Sequence, residues 1–251
     1  MRKCLLFLLL IALPLAALAE PLTQIADLTG TVCWPDGTDE DTAAYRYSYV
    51  YPQVAGDGET ETTINIYYAN EVDYALVFTI DSRGEEVADP DGGAYTRVSY
   101  RVTANDDDFF SVLVTTDTLM DGLRQVGITA QNFSRATEKP GNVMTLPYLL
   151  DILNDAEDDE WLRNRQTNRA SDVVRDMVWD QITERAGAGE TFPEDWTREM
   201  LDYEFFPEYD FYYSEDGLLV FFFQPYLNSP DMAPDSCYEF AVDIEDILDE
   251  M

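Results

Sequence analysis

Residues 205–226 read Phe-Phe-Pro-Glu-Tyr-Asp-Phe-Tyr-Tyr-Ser-Glu-Asp-Gly-Leu-Leu-Val-Phe-Phe-Phe-Gln-Pro-Tyr, and this stretch constrains the fold more than any other. Two runs of aromatic and β-branched residues, Tyr209 to Tyr213 and Leu218 to Phe223, flank Ser214-Glu215-Asp216-Gly217. Asp-Gly supplies the positive φ that a tight hairpin turn needs. Leu218 to Phe223 is apolar at every position, so the second strand must be covered on both faces. A helix or a second sheet has to lie over it.

Other segments fall into place around that hairpin. Tyr45, Tyr47, Tyr49 and Tyr51 alternate with Arg46, Ser48 and Val50, which describes a strand with one aromatic face, ended by Pro52. Breaks at Gly84 and Asp89-Pro90-Asp91-Gly92-Gly93 precede three expected strands, Ala94 to Thr103, Phe109 to Thr116 and Leu123 to Phe133. Their connections, Asn105 to Asp108 and Asp121-Gly122, favour an antiparallel meander. The longest helical candidate runs from Ala156 to Arg185, with an acidic start at Glu157 to Glu160 that suits the helix dipole. Ala170, Val173, Val174, Met177, Gln181 and Ile182 form its apolar stripe, and Gly187 and Gly189 supply the stop. A shorter helix is expected over Glu194 to Asp202, behind Pro193, with Trp196 and Met200 inward. Residues 62–80 are ambiguous between helix and strand: Ile64, Tyr67, Tyr68, Val72, Ala75 and Leu76 fit a helical stripe, whereas Ile66, Tyr74, Val77 and Phe78 fall outside it.

The N-terminus has the order of a secretory signal peptide: Arg2 and Lys3, the apolar run Cys4 to Leu13, then Ala17-Leu18-Ala19 ahead of Glu20. The run is shorter than the roughly 20 apolar residues that span a bilayer. Cleavage near Ala19 is therefore expected, with the mature chain secreted, periplasmic or otherwise in the cell envelope. Arg2 and Lys3 are two of 15 basic residues, so cleavage leaves 13 against 50 acidic ones, a net charge of −37. That charge argues against nucleic acid and anionic membranes as partners. It favours cationic proteins or serves only as a solvated acidic surface. Hydrophobic residues make up 46% of the chain, enough for a packed core.

The chemistry left open is narrow. The chain contains no histidine, which removes Ser-His-Asp and Cys-His catalysis and histidine-ligated zinc. There is no Gly-rich phosphate loop and no Cys-x-x-Cys pair, so no cofactor is expected. Paired carboxylates of the glycosidase kind survive that filter, but among 50 acidic residues none is singled out as a catalytic group. Asp106 to Asp108 and Asp155 to Glu160 carry oxygen ligands without the spacing of a calcium loop; turn and helix-start chemistry accounts for them, and no metal is expected. Cys33 and Cys237 remain after cleavage, in a compartment where they form a disulfide or stay as two buried thiols.

The aromatic strand, the Asp-Gly turn, the strand ending in Phe-Phe-Phe-Gln-Pro-Tyr and the acidic helix Val242 to Leu248 resemble the C-terminal part of the RsiV-like module. That module lies outside the membrane in a lysozyme-sensing anti-sigma factor and beside the catalytic domain of a peptidoglycan deacetylase. Tyr51-Pro52-Gln53, Gly56 and Ile64-Asn65 resemble its opening, and this favours helix for residues 62–80. Asn132-Phe133, Glu138-Lys139-Pro140-Gly141 and Leu146 to Leu150 resemble its next step, a strand, a turn and a short helix. The turn after Tyr226 departs from the family's pattern at Asn228 to Pro234. The deacetylase's histidine-bound metal does not carry over.

The expected fold is α+β: a mainly antiparallel sheet covered by one long helix, in two successive halves packed together. The expected segments are a signal peptide over 1–19, an extension over 20–43 and halves over 44–155 and 156–251. The resemblance implies a non-enzymatic binding module of the cell envelope whose partner is a cationic, lysozyme-like wall hydrolase or, alternatively, peptidoglycan; a carboxylate-only hydrolase is the third reading. Partner contacts are expected at Gln224, Pro225 and Tyr226, where the strand leaves the sheet, bordered by Tyr203, Glu204 and Tyr209.

Overall fold

A computed structural model describes residues 20–88, 93–136, 139–152, 159–227, 233 and 236–251. The proposed signal segment, the Asp89–Gly92 cluster, Glu138, the start of the long helix at Ala156 to Asp158 and most of the Asn228 to Pro234 loop lie outside the described residues.

The fold is α+β, with two sheets and two long helices where one of each was expected. Strands β1 (Leu28–Trp34), β2 (Tyr45–Tyr51), β3 (Ala94–Asn105), β4 (Phe109–Met120) and β5 (Leu123–Ser134) form a five-stranded sheet in sequence order. All neighbours are antiparallel except β2 and β3, which are parallel. A parallel pair needs a long crossover. It is supplied by α1 (Glu59–Tyr74), a π-helical turn (Ala75–Thr79) and α2 (Ile80–Glu86), continuous with one another, which settles residues 62–80 as helix. The β3–β4–β5 meander follows the expected strands closely. Asp121 and Gly122 both take positive φ, 49° and 77°, between the paired residues Met120 and Leu123, as a two-residue hairpin turn requires.

The hairpin of residues 205–226 forms the second sheet. β6 (Phe211–Tyr213) pairs with β7 (Leu219–Phe222), and β8 (Glu239–Val242) pairs with β7 from the other side. Tyr209 and Asp210 precede β6 rather than belonging to it. The turn carries Gly217 at φ 80°.

The uninterrupted apolar run of β7 now has its reason, because both faces are covered by different layers. Leu219, Phe221 and Phe223 point into a core with Ala170, Val173, Val174, Val178 and Ile182 of the long helix α4 (Glu160–Gly187), which follows the short α3 (Leu146–Leu149). Val220 and Phe222 point the other way, with Tyr212, onto Leu113 and Ile128 of the five-stranded sheet. The opposite face of that sheet packs Tyr45, Tyr47, Phe110, Val112, Val114 and Phe133 beneath Ile64, Tyr68 and Val72 of α1. The result is helix, sheet, sheet, helix, with three apolar layers between them. On α4, Met177 packs at the margin of its core and Gln181 donates to the Ala241 carbonyl. Asp159 caps the helix by accepting from the Leu162 N–H. Where α2 ends, a side chain on Gly84 would run into the Trp34 ring, so the close helix-to-strand approach depends on that glycine.

Two further expectations are corrected. Residues 194–200 form successive turns, and the helix is confined to α5 (Leu201–Glu204). The N–H groups of Trp196, Met200, Leu201 and Asp202 reach back three residues instead of four, which lets Trp196 turn inward against Phe223 and Tyr238. The Cys33–Cys237 disulfide is not formed; both are free thiols. Cys33 lies on β1 opposite Arg46, whose partner on β3 is Tyr95. Cys237 packs with Leu113 and Ile128, and the β3 partner of Leu113 is Arg101. At least three strand spacings and about 20 Å along the strands separate the two neighbourhoods, far beyond the roughly 7 Å between Cα atoms that a disulfide spans.

Candidate functional site

The Gln-Pro-Tyr motif ends β7 and enters a 3-10 turn, Pro225–Leu227, beside the edge of β5. Gln224 does not present its side chain to solvent. Its carboxamide accepts from the Ile128 N–H at 3.1 Å and donates to the Ile128 carbonyl at 2.8 Å, taking the place of a neighbouring strand. Asn132 returns the arrangement: from β5 its amide donates to the Phe211 carbonyl at 3.0 Å and its oxygen accepts from the Tyr213 N–H at 3.2 Å, closing the outer edge of β6. Each sheet is thus capped by a carboxamide from the segment packed on it. The same two-bond pattern recurs where Asn65 holds the backbone of Val54 and Asn105 holds that of Leu22. Buried backbone groups need such partners, so Asn65, Asn132 and Gln224, three of the residues behind the family resemblance, have structural work here.

Tyr226 is different. Its ring is 66% exposed and its hydroxyl donates to the Glu204 carboxylate at 3.2 Å. Burial of the hydroxyl, and then the charges of Glu204 and Asp210, push its phenol up from the usual value. Tyr203 and Tyr209 are 70% and 63% exposed on the same surface segment, and Phe206 is half exposed between them. Neither tyrosine makes a hydrogen bond or ring contact with Tyr226. Of the expected patch, the structure therefore joins Glu204 to Tyr226 and leaves Tyr203, on α5, and Tyr209, on the loop that follows it, as separate exposed rings.

Sequence reasoning missed Asp210. Its carboxylate accepts from the Phe206 N–H at 3.1 Å and from Gln224 at 3.4 Å, and its carbonyl accepts from the Phe222 N–H. Burial raises its pKa, offset in part by those two donors. An acid inside an otherwise aromatic run was the available signal. Also unforeseen was a groove of about 560 Å³ beside Tyr226, with Pro225 and Tyr226 on one side and Arg83 of α2 on another. Thr116, Thr118, Gln125 and Gly127 form its polar floor on the helix-facing side of β4 and β5. No local motif could reveal this groove, since its walls come from segments more than a hundred residues apart.

Among the described residues no three acidic or cysteine side chains are brought together as a metal ligand set. The Asp106 carboxylate is occupied by the N–H groups of Asp108 and Phe109. None of the helices described is long and apolar enough to cross a membrane.

No family model matches the chain, and no curated protein matches it by sequence. Solved structures do. A DUF3298 family protein from Pseudomonas aeruginosa aligns over 91% of this chain and 94% of its own, with a TM-score of 0.50 at 10% identity. The chain is similar in fold to that DUF3298 protein. A second member of that family, from Bacteroides fragilis, aligns over 91% of each chain with a TM-score of 0.45 at 13% identity. At this identity the likeness extends to the fold alone.

Proposed function

We propose that this chain is an extracytoplasmic, RsiV-like binding module without catalytic activity, which recognises a basic protein of the cell envelope such as a lysozyme-like wall hydrolase. The observation that carries the reading is the surface built by residues 203–210 and 226. Tyr203, Phe206, Tyr209 and Tyr226 stand exposed above a fully packed core, with the Glu204 carboxylate bound to the Tyr226 hydroxyl. Solvent-exposed aromatic side chains over rigid backbone are what protein interfaces use as anchors. Carboxylates among them, on a chain of net charge −35, select and steer a cationic partner.

Calorimetry of the chain from Glu20 onward with lysozyme tests this at low and physiological salt, with a cationic protein of similar size as control. Saturable binding that survives physiological salt and is lost in Tyr226→Ala supports the reading. Weak binding of both cationic proteins that vanishes with salt refutes it, because only a nonspecific field would then remain. A second reading, a peptidoglycan-binding accessory module, draws support from the groove: a polar floor of Thr116, Thr118 and Gln125 beside the Tyr226 ring suits a sugar chain. Cosedimentation with purified wall, insensitive to salt and reduced by Thr118→Val, would favour it over the first.

A further inference from the structure

The crossover helix buries Ile64, Tyr68, Val72 and Ala75 at helical spacing, and the next buried residues are Ile80 and Gly84. The five-residue step from Ala75 to Ile80 is the π turn, in which the Ile80 N–H bonds to the Ala75 carbonyl. An uninterrupted α-helix would bring Leu76 or Thr79 inward instead. The extra residue lets Ile80 and Gly84 seat against the sheet while Leu76, Val77 and Phe78 swing outward. Tyr74, Val77 and Phe78 are 62%, 62% and 60% exposed, and the Tyr74 and Phe78 rings lie against each other at 5.1 Å. π turns are rare and concentrate at functional positions. The core gains nothing from apolar residues facing water, and the same backbone would form with polar ones there.

We propose that this face is a docking surface for a protein segment presenting an apolar ridge flanked by lysine or arginine. The charges around it select that occupant. Glu71, Asp73, Asp81 and Glu85 rim the ridge on the same helix and are exposed, while the one basic residue of the helix, Arg83, is paired with Glu86 at 3.2 Å. A second copy of the chain would set two acidic rims face to face on molecules that each carry a net charge of −35, which opposes association. An anionic membrane is repelled for the same reason. The surface is independent of the one at Tyr226, since none of its apolar residues lines the groove there.

The test uses the chain from Glu20 onward and, as probe, a fluorescent leucine-lysine peptide with its leucines along one helical face, titrated at physiological salt. A peptide of the same composition with dispersed leucines is the control. Wild type should bind the amphipathic peptide saturably, one to one. Val77→Ser with Phe78→Ser should weaken binding about tenfold or more without moving the thermal midpoint, and Tyr226→Ala should leave it unchanged. Equal binding of the dispersed peptide, or no effect of the double variant, overturns the proposal. Sedimentation of wild type as a dimer that the double variant converts to monomer overturns it too, because the occupant would then be a second copy.

Discussion

Asn132→Leu asks whether the polar junction between the two sheets holds them in register. Asn132 is buried, and its side chain meets three groups: the Ser111 hydroxyl donates to its oxygen at 2.7 Å, the Tyr213 N–H donates to the same oxygen, and its amide donates to the Phe211 carbonyl. Leucine has nearly the same volume and no polar atom. The Tyr213 N–H keeps a partner in the Ser111 Oγ at 3.1 Å. The Phe211 carbonyl and the Ser111 hydroxyl hydrogen lose theirs inside the protein, at a cost of about 1–3 kcal/mol each. Greater apolar burial returns roughly 1 kcal/mol, leaving a net loss of about 1–5 kcal/mol. For a chain of this size each kcal/mol lowers the midpoint by about 2–4 °C, so a fall of roughly 2–20 °C is expected. Thermal unfolding followed by tryptophan fluorescence and near-ultraviolet circular dichroism reads it directly. A shift below about 2 °C would refute the reasoning, since water or a neighbouring group would then have to satisfy Phe211 and Ser111 as well as Asn132 does.

Two further outcomes are expected. The Asp210 carboxyl is raised by burial from an ordinary 3.8, so the native state holds its proton more tightly than the unfolded state does. Its ionisation costs nothing below that ordinary value and destabilises the fold increasingly as pH rises through the native pKa; Asp210→Asn should therefore be relatively more stable at neutral pH than at pH 3.5, and a difference that is constant or of opposite slope in urea titrations would count against a desolvated carboxyl. Cys237, whose thiol is pushed up to about 12 chiefly by burial and next by Glu239, should resist alkylation at pH 8 in the native protein; unreduced, denatured chain from Glu20 onward should yield two reactive thiols, and finding none would restore the disulfide.

Much of the chain's local structure was legible. The Asp-Gly turn, the tyrosine alternation of β2, the meander and the α4 stripe each rest on neighbours within one element, and each formed where the pattern placed it. The crossover helix was hidden because its π turn breaks the 3.6-residue period, so Leu76 fits the stripe on paper and is exposed in the fold. The short helix at Leu201 was displaced because Trp196 gains more by entering the aromatic core than residues 194–200 gain from regular hydrogen bonds. At the candidate site, Tyr226 and Glu204 were foreseen as neighbours, whereas Gln224 turned out to hold β5. A carboxamide has the same donor and acceptor whether it meets a ligand or a strand edge, and only the identity of its neighbour distinguishes the two.

The sequence by itself determined that β2, the β3–β5 meander, the hairpin of residues 205–226 and α4 would form, that β7 must be covered on both faces, and that any site works without histidine. These follow from periodicity, turn residues and composition, all of which act within a few residues. Tertiary structure alone decided that the cover of β7 is a helix on one side and a second sheet on the other, that Asn132 and Gln224 staple those sheets together, and that Arg83 meets Tyr226 across a groove. Each of those contacts joins residues tens to more than a hundred positions apart. Such pairings are set by which layers stack, and stacking is governed by the summed burial of whole faces rather than by any local signal.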